Sequence, residues 1–183
     1  MTELSLQGSS IVNLPEGMAY LSSLKSLDLT DCKRLEYIPK LPPNLNHISA
    51  FDCPSIKRMM LNSRSDSEEG TFKFHLTNSK ELDATSWSNI GEEACIKITD
   101  DAYKSVFFCF PGSAVPCWFH YCCKGDSVTM RKVSPNLCSK NKLTGLALCA
   151  VLGRQDMDDT FLYKFGFISD NMWLLVICIS DIW

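Results

Sequence analysis

Ten cysteines and three histidines are the side chains in this 183-residue chain that metal or thiol chemistry would use. The densest grouping is Cys117, Cys122 and Cys123 close to His120. A tetrahedral zinc site asks for paired ligands at CxxC or HxxxH spacing, so that two donors converge on one ion. Neither spacing occurs here, and free thiols are the expectation. Ser113, after Pro111 and Gly112, is a candidate nucleophile, but the GxSxG elbow that would expose it is missing. His47, His75 and His120 are scattered without partners, and no GxxxxGK[ST] loop is present to hold phosphates. These residues therefore predict no catalysis, no cofactor and no metal.

Such groups act only where a fold positions them. An apolar content of 45% is enough to build a core, and the net charge is -3. Residues 1–62 sum to zero, residues 63–104 to -4 and residues 105–183 to +1, so no basic footprint for nucleic acid exists. The start, Met1-Thr2-Glu3-Leu4-Ser5-Leu6, has an acid where a secretory leader carries basic residues, and no apolar region follows. Met172 to Ile179 is the longest apolar run, and a bilayer-spanning helix needs about 20 residues. No Asn-x-Ser/Thr acceptor occurs either, so the expected location is the cytoplasm, with the nucleus also open, and no membrane partner is expected.

One pattern recurs at offsets of 23 and 21 residues: Met1-x-x-Leu4-x-Leu6-x-x-Ser9, Leu24-x-x-Leu27-x-Leu29-x-x-Cys32 and Leu45-x-x-Ile48-x-Ala50-x-x-Cys53. This is the leucine-rich-repeat signature at its usual period. Alternation along each short strand turns Leu27 and Leu29 inward. Ser5, Gln7, Asp28, Thr30, His47, Ser49 and Phe51 then face outward on the concave side, where Phe51 is the natural hot spot. Cys32 and Cys53 fall at the inward position after the strand, where a small polar atom satisfies backbone groups at the turn. Ile11-x-x-Leu14-Pro15 and Leu35-x-x-Ile38-Pro39 predict an irregular or single-turn convex side, because proline stops a longer helix. Three strands about 4.8 Å apart and about 17 Å long give a concave patch of about 250 Å². A typical specific interface buries about 800 Å² per partner, so three repeats alone are too small a surface.

Ser63 to Gly70 is polar and turn-forming, which places a domain boundary there: repeats over 1–62, linker over 63–70, a second domain over 71–183. Phe72-Lys73-Phe74 begins a short strand by alternation. Asn89-Ile90-Gly91-Glu92 resembles a capping box, opening a helix with Ile90, Ala94 and Ile98 on one side. Beyond it the texture is β: residues 106–110, 118–121, 127–133, 143–152, 161–167 and 172–179, separated by Gly, Pro, Asn or Asp clusters. Five or six such strands predict a β-sandwich. The fold class expected is thus an α/β-type leucine-rich-repeat solenoid end followed by a mainly β domain.

The most specific stretch runs Cys109-Phe110-Pro111-Gly112-Ser113-Ala114-Val115-Pro116-Cys117-Trp118-Phe119, then Gly125-Asp126-Ser127-Val128, then Leu143-Thr144-Gly145-Leu146-Ala147-Leu148-Cys149-Ala150-Val151. Pro111-Gly112 fits a type II turn, with Trp118-Phe119 folding back as an aromatic anchor. The motif Pro111, Gly112, Ser113, Pro116, Trp118 and Phe119 serves as a corner of the sandwich or as a binding element; Pro, Gly and Trp pack more often than they bind. This order resembles the C-terminal jelly-roll/immunoglobulin-like domain that follows the repeats in plant TIR-type nucleotide-binding leucine-rich-repeat disease-resistance proteins. Pro39-Lys40-Leu41-Pro42-Pro43-Asn44-Leu45 and Cys53-Pro54-Ser55-Ile56 resemble that family's last repeats. The resemblance runs from residue 1 to about residue 155. Ala114 and Cys117 depart from it, standing where family members usually carry acids, and after Asp159 it fades, which leaves an incomplete sandwich as one expectation.

The resemblance implies a non-catalytic recognition module of an immune receptor, contacting a pathogen effector protein or other domains of the receptor in plant defense. Two alternatives stand beside it: a β-sandwich that binds carbohydrate or another small ligand, and an inactive truncated receptor fragment.

Overall fold

The computed structural model describes residues 1–61, 71–99, 105–111, 145–152 and 173–180. Three short strands come from the repeated motif: β1 (Glu3–Ser5), β2 (Ser26–Asp28) and β4 (His47–Ala50). They are parallel, and Leu4, Leu27 and Ile48 stand side by side, as the repeat spacing predicts. After β2 and β4 come β3 (Tyr37–Ile38) and β5 (Arg58–Met59), which pair in parallel as a second, two-stranded sheet on the opposite wall. A short 3-10 turn, Glu16–Tyr20, follows Pro15 on that wall. Helical structure among these first residues is limited to that single turn, in keeping with the prolines.

Four strands of the long sheet, those that start at Glu3, Ser26, His47 and Thr71, end in the same turn. Gly8, Asp31, Asp52 and Asn78 all have positive φ, between 55° and 68°. Glycine enters this left-handed region freely, and Asp and Asn are the side chains that tolerate it best. The next residue in each case is small and polar: Ser9, Cys32, Cys53 and Ser79. Cys32 Sγ donates to the Leu6 carbonyl at 3.1 Å, Cys53 Sγ to the Leu29 carbonyl at 3.0 Å, and Ser79 Oγ to the Cys53 carbonyl at 2.9 Å. Carbonyls that the turn leaves in the interior are satisfied by these donors. The structural role expected for the two cysteines is the one they have.

The fourth member of that series lies beyond residue 62, at the end of the strand that follows the expected linker. β6 (Thr71–Leu76) pairs in parallel with β4, setting Phe74 beside Ile48 and Leu76 beside Ala50. Phe72, Phe74, Leu76 and Ser79 occupy the inward positions, each at most 2% exposed. Phenylalanine replaces leucine because the opposite wall changes here. In place of a two-residue strand stands α1 (Ala84–Thr99), which buries Ile90 and Ala94. The helix starts earlier than the Asn89 capping box predicts. Asp83 Oδ1 accepts the Ser86 N–H at 2.7 Å, an N-cap that leaves Asn89 inside the helix.

β7 (Ser105–Pro111) continues the same sheet, followed in space by β9 (Trp173–Ser180) and then β8 (Gly145–Leu152), giving the order β1-β2-β4-β6-β7-β9-β8. All of these pairings are parallel. The strands expected over 106–110, 143–152 and 172–179 therefore exist, but the described part of them forms one parallel layer with the repeats rather than two packed sheets. Their sequences, Val106-Phe107-Phe108-Cys109-Phe110, Leu146 to Leu152 and Leu174 to Ile179, are unbroken apolar runs, a pattern common in parallel strands. Expected strands at 118–121, 127–133 and 161–167 lie outside the described residues, as does the linker at 63–70.

The inward row ends in stacked aromatics, with Phe74 and Phe108 ring centroids 5.5 Å apart and Phe72 and Phe108 5.2 Å apart. Truncating Phe74, which is fully buried between Ile48 and Phe108, removes the central member of the row. Phe74→Ala is expected to lower unfolding free energy by about 3–5 kcal/mol in urea titrations; a loss below about 1 kcal/mol would mean the row is not the core.

Candidate functional surface

Side chains on the outward face of the long sheet alternate with the buried row. Across the strands they line up as Glu3, Ser26, His47, Lys73 and Phe107, then as Ser5, Asp28, Ser49, His75 and Cys109. Gln7, Thr30 and Phe51 lie just beyond the strand ends, on the same face by alternation. All seven residues expected on the concave side, Ser5, Gln7, Asp28, Thr30, His47, Ser49 and Phe51, are thus exposed or half-buried on one face.

The β1–β2 half of this face is knitted together internally. Ser5 Oγ donates to Asp28 Oδ2 at 3.4 Å, and Asp28 Oδ1 accepts the Thr30 N–H at 2.9 Å. Thr30 and Ser49 hydroxyls share a hydrogen bond of 3.0 Å. The β4–β7 half is aromatic instead. The Phe51 ring lies 5.5 Å from the His75 imidazole, which in turn meets Phe107 edge-on at 6.4 Å and 86°. Phe51 keeps 39% of its surface exposed.

Lys73, His75 and Phe107 belong to this surface although the leucine spacing does not reach them. A signal for them exists in the sequence: Phe72-x-Phe74-x-Leu76-x-x-Ser79 repeats the apolar and small-polar positions of Leu27-x-Leu29-x-x-Cys32 with phenylalanine for leucine. Of the motif Pro111, Gly112, Ser113, Pro116, Trp118 and Phe119, only the backbone of Pro111 is described, at the end of β7. The others lie outside the described residues, together with Cys117, His120, Cys122 and Cys123.

Several charges elsewhere among the described residues are paired. At the turns, Lys33 Nζ bridges Asp31, at 2.9 Å, and Asp52, whose carboxylate also accepts from Asn78 Nδ2 at 2.6 Å. On the opposite wall a shallow open groove is lined by Asn13, Glu36, Tyr37, Lys57, Arg58, Glu81 and Asp83. Its ion pairs are Lys57 with Glu36 at 3.0 Å and Arg58 with Asp83 at 3.5 Å. Inside, a cavity of about 10 Å³ between Leu45, Phe72 and Lys97 has room for about one water. Among the described residues no group of three His, Cys, Asp or Glu side chains could hold a metal ion, and no helix is long and apolar enough to cross a membrane.

Thiol chemistry finds little purchase in the described part. Cys32, Cys53, Cys95 and Cys109 are thiols, and all but Cys95 are buried. Burial pushes the Cys53 thiol up to about 12, and burial likewise raises Cys32. A thiol held protonated is neither a nucleophile nor a good metal ligand at neutral pH.

Comparison with known proteins places the chain. The C-JID domain family matches residues 110–183. The chain is 31% identical to disease resistance protein RPS4B of Arabidopsis thaliana over 94% of its own length and 16% of that protein. It is 32% identical to disease resistance protein RPS4 of the same plant over 97% of its own length, and 30% identical to disease resistance-like protein DSC1 over 87%. The chain spans about one sixth of the length of the first two relatives, 16% of each. No solved structure matches it.

The Cys53 assignment carries a pH signature. A thiol whose folded value is raised above 9.0 contributes its full stability below that pH and loses it as pH climbs toward 12, because only the unfolded chain ionises in that window. Native protein is therefore expected to leave Cys53 unalkylated by iodoacetamide at pH 8, and Cys53→Ala to flatten the fall in stability above pH 9. Rapid native labelling of Cys53, read by peptide mass spectrometry, would contradict this.

Proposed function

This chain carries the C-JID domain and the sequence of the C-terminal part of plant disease-resistance proteins, and from that premise we propose that it is a non-catalytic recognition module of an immune receptor. In this reading the strands β1, β2, β4 and β6 are the end of a leucine-rich-repeat solenoid. The C-JID takes over within β7, on the same sheet. The outward face and the C-JID together contact a pathogen effector protein or another domain of the receptor, in the cytoplasm or nucleus. The observation that carries the reading is the ordered outward face itself, polar over β1 and β2 and aromatic over β4 to β7.

Size agrees with a shared surface. Five strands about 4.8 Å apart and about 17 Å long offer about 400 Å², roughly half of the 800 Å² that each partner buries in a specific complex. The remainder of such an interface would come from the C-JID. Among the described residues the outward side chains from β1 to β6 are exposed or half-buried and the face closes at Cys109, an extended surface that suits protein contact better than turnover of a small substrate.

Pull-down of plant-pathogen effectors and of receptor domains by the purified chain tests the proposal. At least one should bind, and Thr30→Arg, which sets a bulky charge on the face beside Ser49, should weaken binding about tenfold or more. Glu81→Ala in the opposite groove should leave it unchanged. Binding to none of these proteins, or binding indifferent to Thr30→Arg, would contradict the assignment.

A further inference from the structure

The two halves of the outward face differ in the groups they leave available. Over β1 and β2 the polar groups bond one another, as the contacts among Ser5, Asp28, Thr30 and Ser49 show. Over β4 to β7 three rings, Phe51, His75 and Phe107, form a ledge with Phe51 well exposed. An aromatic ledge at a surface is area that a partner can take out of water, with ring geometry that favours another ring or an aliphatic side chain.

A positive charge stands beside the ledge. Lys73 lies opposite His47 on one side and Phe107 on the other, is exposed, and has no ion-pair partner among the described residues. Lys73 and His75 are two residues apart on one strand and face the same way, a separation of about 6.6 Å. That distance equals two residues of an extended partner chain. Lys73 also helps to hold the His47 imidazole below its ordinary value, after the loss of water around the ring. A charge on His47 is disfavoured beside the Lys73 ammonium, so the cation that a partner's carboxylate would pair with on this part of the face is Lys73.

We infer that the face receives an extended segment of its protein partner in which an aromatic or aliphatic side chain seats on the Phe51–His75–Phe107 ledge and an acidic residue two positions away pairs with Lys73. This rests on the recognition function proposed above and names the chemistry of the partner at that surface.

A random peptide library displayed on phage, panned against the full chain, supplies the probe. Enriched peptides should carry an aromatic or leucine two residues from Asp or Glu. A synthetic peptide of the enriched sequence should bind about tenfold or more weakly to Phe51→Ala, and Phe51→Leu should retain most of the affinity. Lys73→Glu should also weaken it, and replacing the peptide's acid by lysine should restore binding to Lys73→Glu alone, a charge-swap rescue that misfolding cannot imitate. No enrichment, enrichment without an acidic residue, or failure of the rescue would overturn the inference. Peptides lost on Thr30→Arg but indifferent to Phe51 and Lys73 would leave the recognition function standing and sink this inference alone. Peptides indifferent to all three positions would sink both.

Discussion

The structure depends on one constraint: the apolar row Leu4, Leu27, Ile48, Phe74 and Phe108 must stay in register across neighbouring parallel strands. Side chains alternate along a strand with a period of two, so a slip of one residue would turn the whole buried set into solvent. Register is held where each strand ends. The left-handed residue at Gly8, Asp31, Asp52 and Asn78 reverses the chain. The small polar residue after it ties three of these turns back to the turn before through a carbonyl. The outward surface is a by-product of that discipline: if the inward row is aligned, Ser5, Asp28, Ser49 and His75 are aligned as well.

The same constraint explains how the repeats hand over to the strands after them. Two-residue strands serve as the opposite wall for the early turns, and leucines fill the narrow space between. When α1 replaces them, the space is filled by Phe72, Phe74, Phe108 and Phe110, with Trp87 meeting Phe110 at 5.7 Å and Lys97 lying 4.4 Å over the Phe72 ring. Sheet continuity from β4 through β6 to β7 means the surface crosses the handover without a break. Aromatic side chains that fill the interior here are echoed on the outer face by Phe107, across His75 from Phe51.

The early strands are legible because leucine, small residue and proline recur together at one period, and alternation alone sets the residues from Ser5 to Phe51 on one face. Two features hide β6: phenylalanine in the leucine positions, and a polar stretch over 63–70 that reads like a linker although the strand after it rejoins the sheet. Helix α1 is legible from Ile90 and Ala94, but Asn89-x-x-Glu92 imitates a capping box, and only the bond from Ser86 to Asp83 shows the real start. The later strands are legible as strands, but their layering is not. An unbroken run such as Val106 to Phe110 fits a sandwich interior and a parallel sheet equally well, and partner choice over long separations leaves no mark in local periodicity. Phe107 escapes a reading of local spacing for that reason.

The parallel row is open to direct inspection by nuclear Overhauser measurements on side-chain-labelled protein. Contacts from Phe74 to both Ile48 and Phe108, together with Leu27 to both Leu4 and Ile48, are the expected pattern. An antiparallel pattern at Phe74, or contacts of Phe108 with neither Phe74 nor Phe72, would contradict the account.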